Sequence, residues 1–404
     1  MEITIGGYAI ACYNQITVNL KYDSIDSTFS FVALFDPNNA VHRRVFKPLT
    51  YQKVQIYHLG VLILTGIALN HAFKDAGDPP VQLVQVSGYA RTGVLLDSTI
   101  GSKFSSISGN VATQADLTSY LQINGLTLTQ VANTISDTLG LPAPVIDAEL
   151  LSLPSTDAFN VAYGTVNVDN DNDYTYGELL STLCAQKNIV LSHTPGGALF
   201  LTRYKGGAKQ TIFETEVFNG GSQSSLSSPD IQTRYINEVT TKEEVRKVLY
   251  NFETPGQWVT MDLQVDGKSI HSGIQVVTQV TSDSYNGNFE VNYYVPRGVD
   301  RYKRVIQSAG EDIDINPTAR SVIGDELKNI TVPIRVATWV LNGHLITPNQ
   351  LVSIKNPNLH LYNANRWFIQ EVTLYGDSET EYADITCVIP DCFGTDPITV
   401  NVFD

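Results

Sequence analysis

The run Asp169-Asn170-Asp171-Asn172-Asp173 places oxygen-bearing side chains at alternate positions, as a calcium-binding loop does at its start. Such a loop also needs glycine at its sixth position and glutamate at its twelfth. Tyr174 and Leu180 stand there instead. The run therefore reads as a polar turn that caps a helix beginning near Tyr176 and sets acids against its dipole. A weak cation site near Asp169–Asp173 is the minor reading. Glu311, Asp312 and Asp314 invite comparison with the paired acid and base of glycoside hydrolysis. They precede a predicted helix in a Gly/Pro-bounded segment, where acids serve as solvated or capping groups, and no second positioned element accompanies them. Cys12, Cys184, Cys387 and Cys392 form no CxxC pair, and no histidine neighbours the last two, so they read as small thiols of a reducing compartment. His42, His58, His71, His193, His271, His344 and His360 show no HxH or HExxH spacing. No GxSxG elbow, GxxxxGK[ST] loop or GxGxxG turn occurs, and Gly206-Gly207 and Gly220-Gly221 lack the strand, helix and lysine of a phosphate cradle. Catalytic, cofactor-binding and metal residues are accordingly assigned to none, and the expectation is a protein that is not an enzyme.

Composition narrows the class further. The chain has 404 residues, a net charge of −15, 43% hydrophobic residues and only 17% charged ones. That is ample apolar material for folding and unlike a disordered chain. Few bases argue against nucleic-acid binding, which draws on Lys and Arg to neutralise phosphates. The basic clusters are mild: His42-Arg43-Arg44, Lys242 to Lys247 and Arg301 to Arg304. Within Lys242-Glu243-Glu244-Val245-Arg246-Lys247 the signs alternate, as on an exposed strand edge or a modest interface. No apolar run approaches the ~18–20 residues of a membrane-spanning helix. Met1-Glu2-Ile3-Thr4-Ile5-Gly6 has neither a basic nor an apolar leader region, so a soluble protein made in the cytoplasm is expected.

The elements that would carry any site follow from periodicity. Phe29–Phe35, Val54–Tyr57, Val61–Leu69 and Val81–Gly88 read as short strands punctuated by Gly, Pro and Asn, the pattern of a small antiparallel barrel or sandwich. Gly101–Gln114 is Ser/Gly-rich and reads as a linker. Thr127–Leu139 carries Leu128, Val131, Ile135 and Leu139 on one helical stripe, with Gly140 as its stop. A second helix over Tyr176–Lys187 feeds strands Ile189–Ser192 and Leu199–Thr202. Strand patterns return over Ile231–Val248, and a helix is expected at Thr318–Ile330. The remaining strands are expected at Ile334–Leu341, Leu351–Lys355, Trp367–Tyr375 and Tyr382–Pro390.

Val86-Ser87-Gly88-Tyr89-Ala90-Arg91-Thr92-Gly93-Val94-Leu95-Leu96-Asp97-Ser98 resembles the V-x-G-R-x-x-T-x-D-L-V-D-x-S signature of central baseplate hub proteins from Mu-like contractile phages. Tyr89 departs from the signature's Arg and Val94 from its first Asp. Tyr176 to Ala185, with Gly197-Ala198-Leu199-Phe200-Leu201-Thr202-Arg203, is similar to the same family's helix and hairpin, and Gly343 to Ile354 resembles its G-x-L-W-x-P-N-x-x-V-x-V stretch. Val388-Ile389-Pro390-Asp391-Cys392-Phe393 is similar to its closing L-x-x-P-D-A-F. In shared order these anchors run from about 29 to 393.

The resemblance implies a mainly β chain with an α/β insertion (α+β): two small antiparallel β-barrel domains, one α/β domain and one smaller inserted domain. Mapped here, the first barrel is 1–100 and the α/β domain 101–205. The second barrel is 206–248 and 331–390, the inserted domain 249–330, and 391–404 a C-terminal tail. It further implies a non-enzymatic virion protein of the tail baseplate, assembled in the host cytoplasm. Three copies would form a ring of pseudo-sixfold symmetry that adapts a trimeric central spike to the hexameric tail tube and lets DNA pass. Implied partners are the chain itself, the spike and the tube, with the tape measure protein and baseplate wedge as further candidates, and neither sequence-specific nucleic-acid binding nor stable membrane insertion. Three alternatives stand beside it: the N-terminal hub-like part of a non-contractile tail-associated protein, a carbohydrate-binding or depolymerising tail protein, and a calcium-dependent adhesin resting on residues 169–173.

Overall fold

A computed structural model of the chain describes residues 2–10, 13–76, 81–100, 104–108, 111–114, 123–164, 175–204, 209–218, 235–281, 284–296, 298–307, 315–377, 379–394 and 401–403. The acidic run 169–173, the carboxylates Glu311, Asp312 and Asp314, Cys12 and the paired glycines 206–207 and 220–221 lie outside the described residues. β1 (Glu2–Ile5) and β2 (Tyr8–Ile10) form a hairpin, followed by β3 (Tyr13–Lys21) and β4 (Thr28–Leu34). Helix α1 (Ala40–Val45), capped by the Asn39 side chain, leads into β5 (Lys53–His58), β6 (Val61–Ala76) and β7 (Val81–Ala90). Beyond α2 (Val94–Asp97), β8 (Phe104–Ser108) pairs with β9 (Val111–Gln114). That hairpin falls inside the expected linker 101–114. A ladder rests on backbone hydrogen bonds, which a side-chain pattern does not report.

The α/β segment comprises α3 (Leu128–Leu139), β10 (Val145–Ile146), α4 (Ala148–Leu151), α5 (Tyr176–Gln186), β11 (Val190–His193) and β12 (Leu199–Thr202). Reciprocal caps start both long helices, Thr127 with Gln130 and Thr175 with Glu178. Gly140, at φ 65°, ends α3 in the left-handed conformation that glycine adopts without strain. The stripes Leu128-Val131-Ile135 and Leu179-Leu180-Leu183 close on one core.

The rest of the chain runs β13 (Lys209–Phe218), β14 (Tyr235–Val245), β15 (Val248–Phe252), β16 (Thr260–Met261), β17 (Gln264–Val265), β18 (Gly273–Thr281), β19 (Ser284–Val291) and β20 (Tyr302–Gln307). Then come α6 (Ile315–Leu327), β21 (Ile330–Val336), β22 (Val340–Leu341), β23 (His344–Leu345), β24 (Leu351–Asn356), β25 (Leu361–Asp377) and β26 (Glu381–Val388). The helix expected at Thr318–Ile330 starts and stops earlier, because Ile330, Val332, Ile334 and Val336 are all buried as one strand. Pro333 masks that strand in the sequence, since proline inside a run reads as a breaker. It sits opposite Thr386 within β21. β18 to β20 form a separate three-stranded sheet against α6. Glu326 of α6 ties it down, accepting from the His271 backbone at 2.9 Å and facing His271 Nδ1 at 2.8 Å and Lys303 Nζ at 3.3 Å.

Most strands of the two expected barrels lie in one curled, mainly antiparallel sheet of fourteen strands, ordered β16-β21-β26-β25-β3-β4-β7-β6-β5-β1-β2, with β15, β17 and β24 attached. β16 and β17 of the expected inserted domain join it, while β13–β14 and β22–β23 pair separately. The seam is β25 against β3. β25 pairs with β24 up to Phe368 and with β3 from Glu371 to Asp377. Its bulge lies at Gln370, whose carbonyl accepts from Tyr22 N–H at 2.8 Å, while Ile369 N–H donates to Gln350 O at 2.9 Å. Across the seam Asn19 donates to Glu371 Oε1 at 2.6 Å and to Thr373 Oγ1 at 3.0 Å. Trp339 bolts the same place from above: its indole N–H is shared by the carbonyls of Tyr375 at 2.9 Å and Tyr382 at 3.0 Å. Its ring stands 5.1 Å from that of His58 on β5. Gly88 lets β6 and β7 close beneath Phe29, because a Cβ there would lie 1.8 Å from Ile67 O.

Among the described residues no helix is long and apolar enough to cross a membrane.

The seam predicts shared cooperativity. Leu374, fully buried in β25, sits where both halves meet. Leu374→Ala should cost about 3 kcal/mol and leave one transition seen identically by far-ultraviolet dichroism and tryptophan fluorescence in urea. Two separated transitions would show that the halves fold independently.

Candidate functional site

The four sequence segments that carry the family resemblance converge on joints. In the first, Thr92 Oγ1 donates to Ile25 O at 2.6 Å, Arg91 Nη2 donates to Gly140 O at 2.6 Å, and the Tyr89 hydroxyl donates to Asp97 Oδ2. This corner fixes α2 and α3 against the first part of the large sheet. In the second, Arg203 holds the end of α5 through Lys187 O at 2.9 Å and Asn188 O at 3.1 Å, with Asp157 at 3.6 Å.

The third and fourth meet in a buried polar joint. Asp147, just before α4, is fully buried. Its Oδ2 accepts from Thr202 Oγ1 at 2.5 Å, and its Oδ1 accepts from Thr211 N–H and Thr211 Oγ1, both at 3.0 Å. Thr202 reaches the Tyr22 hydroxyl at 3.3 Å. Beside them Arg246 Nη1 donates to Asn349 O at 3.0 Å and to Asn349 Oδ1 at 2.5 Å. Its guanidinium lies 5.1 Å over the Tyr204 ring and 5.9 Å over Phe368. Tyr22 meets Phe368 and Phe393 edge-on at 4.7 and 4.9 Å. Burial pushes the Tyr22 phenol above its ordinary range, opposed by Arg246. The joint therefore welds β3, the α/β segment, the β13–β14 hairpin and β25 together.

Chemically this is a lock. Asp147 is saturated by donors, and Cys184 and Cys387 are thiols pushed up by burial, which disfavours the thiolate. Among the described residues no three His, Cys, Asp or Glu side chains gather as metal ligands. A cavity of about 480 Å³ adjoins the joint, walled by Tyr22, Leu62, Ser192, Phe200, Thr211 and His344.

The basic clusters separate. Arg44 of α1 donates to the Tyr8 hydroxyl at 3.2 Å, and Arg301 donates to Gly267 O at 2.5 Å and Lys268 O at 2.7 Å. The run Lys242–Lys247 is not wholly an exposed edge: Arg246 is buried in the joint. The chain leaves the hairpin there, so strand alternation no longer predicts which side chain turns inward. Asp147, Asn349 and Trp339 carry no local signal of their roles, because each acts through partners distant in sequence.

Two groups of exposed apolar residues lie at the two ends of β5. At one end Leu59 and Gly60 form a turn with φ of 49° and 83°, and Leu59 is 82% exposed. At the other, Leu49 (φ 59°) and Tyr51 (φ 48°) are 76% and 60% exposed.

No family model matches the chain, and no curated protein matches it by sequence. Solved structures do. The 43 kDa tail protein of prophage MuSo2 from Shewanella oneidensis aligns with TM-score 0.67 at 14% identity, over 97% of this chain and 98% of that one. A tail protein from Neisseria meningitidis aligns with TM-score 0.66 at 14% identity, over 97% of both chains. A prophage tail protein from Listeria monocytogenes aligns with TM-score 0.54 at 10% identity, over 94% of this chain and 90% of that one. The chain thus has the fold of these phage tail proteins along nearly its whole length.

Buried imidazoles set a pH response. Burial holds His58, His71 and His193 below the usual imidazole range; Glu381 opposes this at His58, and the Thr194 carbonyl and Asp26 oppose it at His193. The folded state then binds fewer protons than the unfolded one. Their contribution to stability is complete above about pH 6.5 and is lost as pH falls below it. The melting temperature should drop between about pH 7.5 and about pH 5. His58→Phe, which keeps a ring against Trp339, should flatten that drop; a parallel pH profile would exclude His58 from it.

Proposed function

We propose that this chain is a structural component of a phage-type tail, and within that class the central baseplate hub. The observation that carries the reading is the end-to-end fold match with a prophage tail protein and a second tail protein, each covered over 97% or more of its own length. Internal symmetry supports the finer statement. Outward from the seam, β3 is followed by its hairpin partner β4 and then β7, and β25 by its hairpin partner β26 and then β21. Antiparallel seam strands, each with its hairpin partner outward, make an approximate local twofold at the seam, although β7 follows β4 in the chain and β21 precedes β25. Three chains then present six related units, the arrangement that joins a threefold spike to a hexameric tube.

The mechanism is symmetry matching. Subunit contacts close the ring, the two β units of each chain offer near-equivalent surfaces to the tube, and the spike sits on the threefold axis. A net charge of −15 suits a channel that passes DNA without holding its phosphates. The protein then resides in the virion tail.

Electron microscopy of the purified chain, with mass photometry across a concentration series, tests the reading. A three-lobed ring of trimer mass with pseudo-sixfold density is expected. A strict monomer at high concentration, with or without the spike protein, overturns it. Clearing of a polysaccharide lawn by the purified chain would favour the depolymerising alternative.

A further inference from the structure

The two ends of β5 differ in charge as well as sharing exposed apolar residues. Residues 42–53 carry Arg43, Arg44, Lys47 and Lys53 without one acid, and all four bases are exposed beside Leu49 and Tyr51. The opposite end is acidic. Asp377, Glu379 and Glu381 stand in the turn between β25 and β26, with Glu379 and Glu381 exposed, and Glu381 acts electrostatically on His58, the neighbour of Leu59. The six-residue strand between the two ends spans roughly 20 Å.

The backbone at both ends is unusual. A two-residue hairpin turn with positive φ at both central positions favours Asn-Gly or Gly-Gly. Leucine at the first position is strained there, and its side chain projects into solvent instead of burying. Leu49 and Tyr51 repeat the pattern at the basic end. Strained, exposed apolar residues of this kind persist where something outside the chain uses them.

We propose that the chain docks head-to-tail on a second copy of itself, the acid-rimmed Leu59 tip of one copy seating on the base-rimmed Leu49–Tyr51 loop of the next. Tip against tip would set acid on acid. A tip-to-loop contact made once at each junction is heterologous and closes into a ring when its rotation permits. Opposite charges at the rim set register and association rate, while the leucines supply the desolvated centre. The inference rests on the ring reading above and names the surfaces that make the ring.

Charge reversal of the full chain tests it, read by mass photometry and thermal melting. Glu379→Lys with Glu381→Lys reverses the tip, and Arg43→Glu with Lys47→Glu reverses the loop. Each pair should raise the half-assembly concentration about tenfold or more at low salt, with melting unchanged. Combining all four substitutions restores opposite charges at every junction and should restore assembly. Leu59→Asn, which suits the left-handed turn, should weaken assembly while the melting temperature holds or rises. A ring indifferent to both reversals and to Leu59→Asn overturns this inference and leaves the hub reading standing. A wild-type chain that never assembles overturns the ring reading and this inference together.

Discussion

The pairing of β3 with β25 is the constraint on which the rest depends. It converts two sets of strands into one sheet through a strand with three neighbours, β26 along one edge and β24 then β3 along the other. The bulge at Gln370 solves that geometrical problem: on one side β25 continues the ladder with β24, on the other with β3. A bulge increases local twist and re-aims the strand. The buried joint and the Trp339 bolt sit on either side of it, where a change of neighbour leaves backbone groups in need of partners.

That arrangement explains why the joint is polar. Backbone groups and side chains brought together from four segments cannot all be apolar, and a buried polar group is costly unless satisfied. Asp147 is met by three donors, and the indole of Trp339 by two carbonyls. A buried carboxylate and a buried indole met in this way favour one relative placement of the units they join. In the proposed ring such a fixed placement would matter, since an error in angle would repeat at every subunit.

Local order was legible in the amino-acid sequence, and long-range order was not. The helices α3 and α5 announce themselves through caps, a terminal glycine and an apolar stripe, all within a dozen residues. The hairpin β25–β26 is similarly close in sequence. By contrast, Arg246 reads as part of a solvated charge run, Asp147 gives no signal at all and Pro333 reads as a breaker. Their actual roles are set by Asn349, Thr211 and Thr386, which no periodicity connects to them. Leu59-Gly60 reads correctly as a turn, but the strain of leucine in it emerges only from its φ angle. The four anchors of the resemblance mark joints.

The seam also fixes when the protein can be finished. Asn19 and Glu371 are 352 residues apart, and a ribosome adding about 5–20 residues per second needs roughly 20–70 s to travel that distance. Throughout that time β3 exists as an open edge with its hydrogen-bonding groups unpaired, a template for any stray strand. Nascent chains on one polysome, each displaying that edge, are therefore most exposed to mispairing before the last tenth of the sequence emerges. Expression at slow translation and high message density should be its least forgiving circumstance.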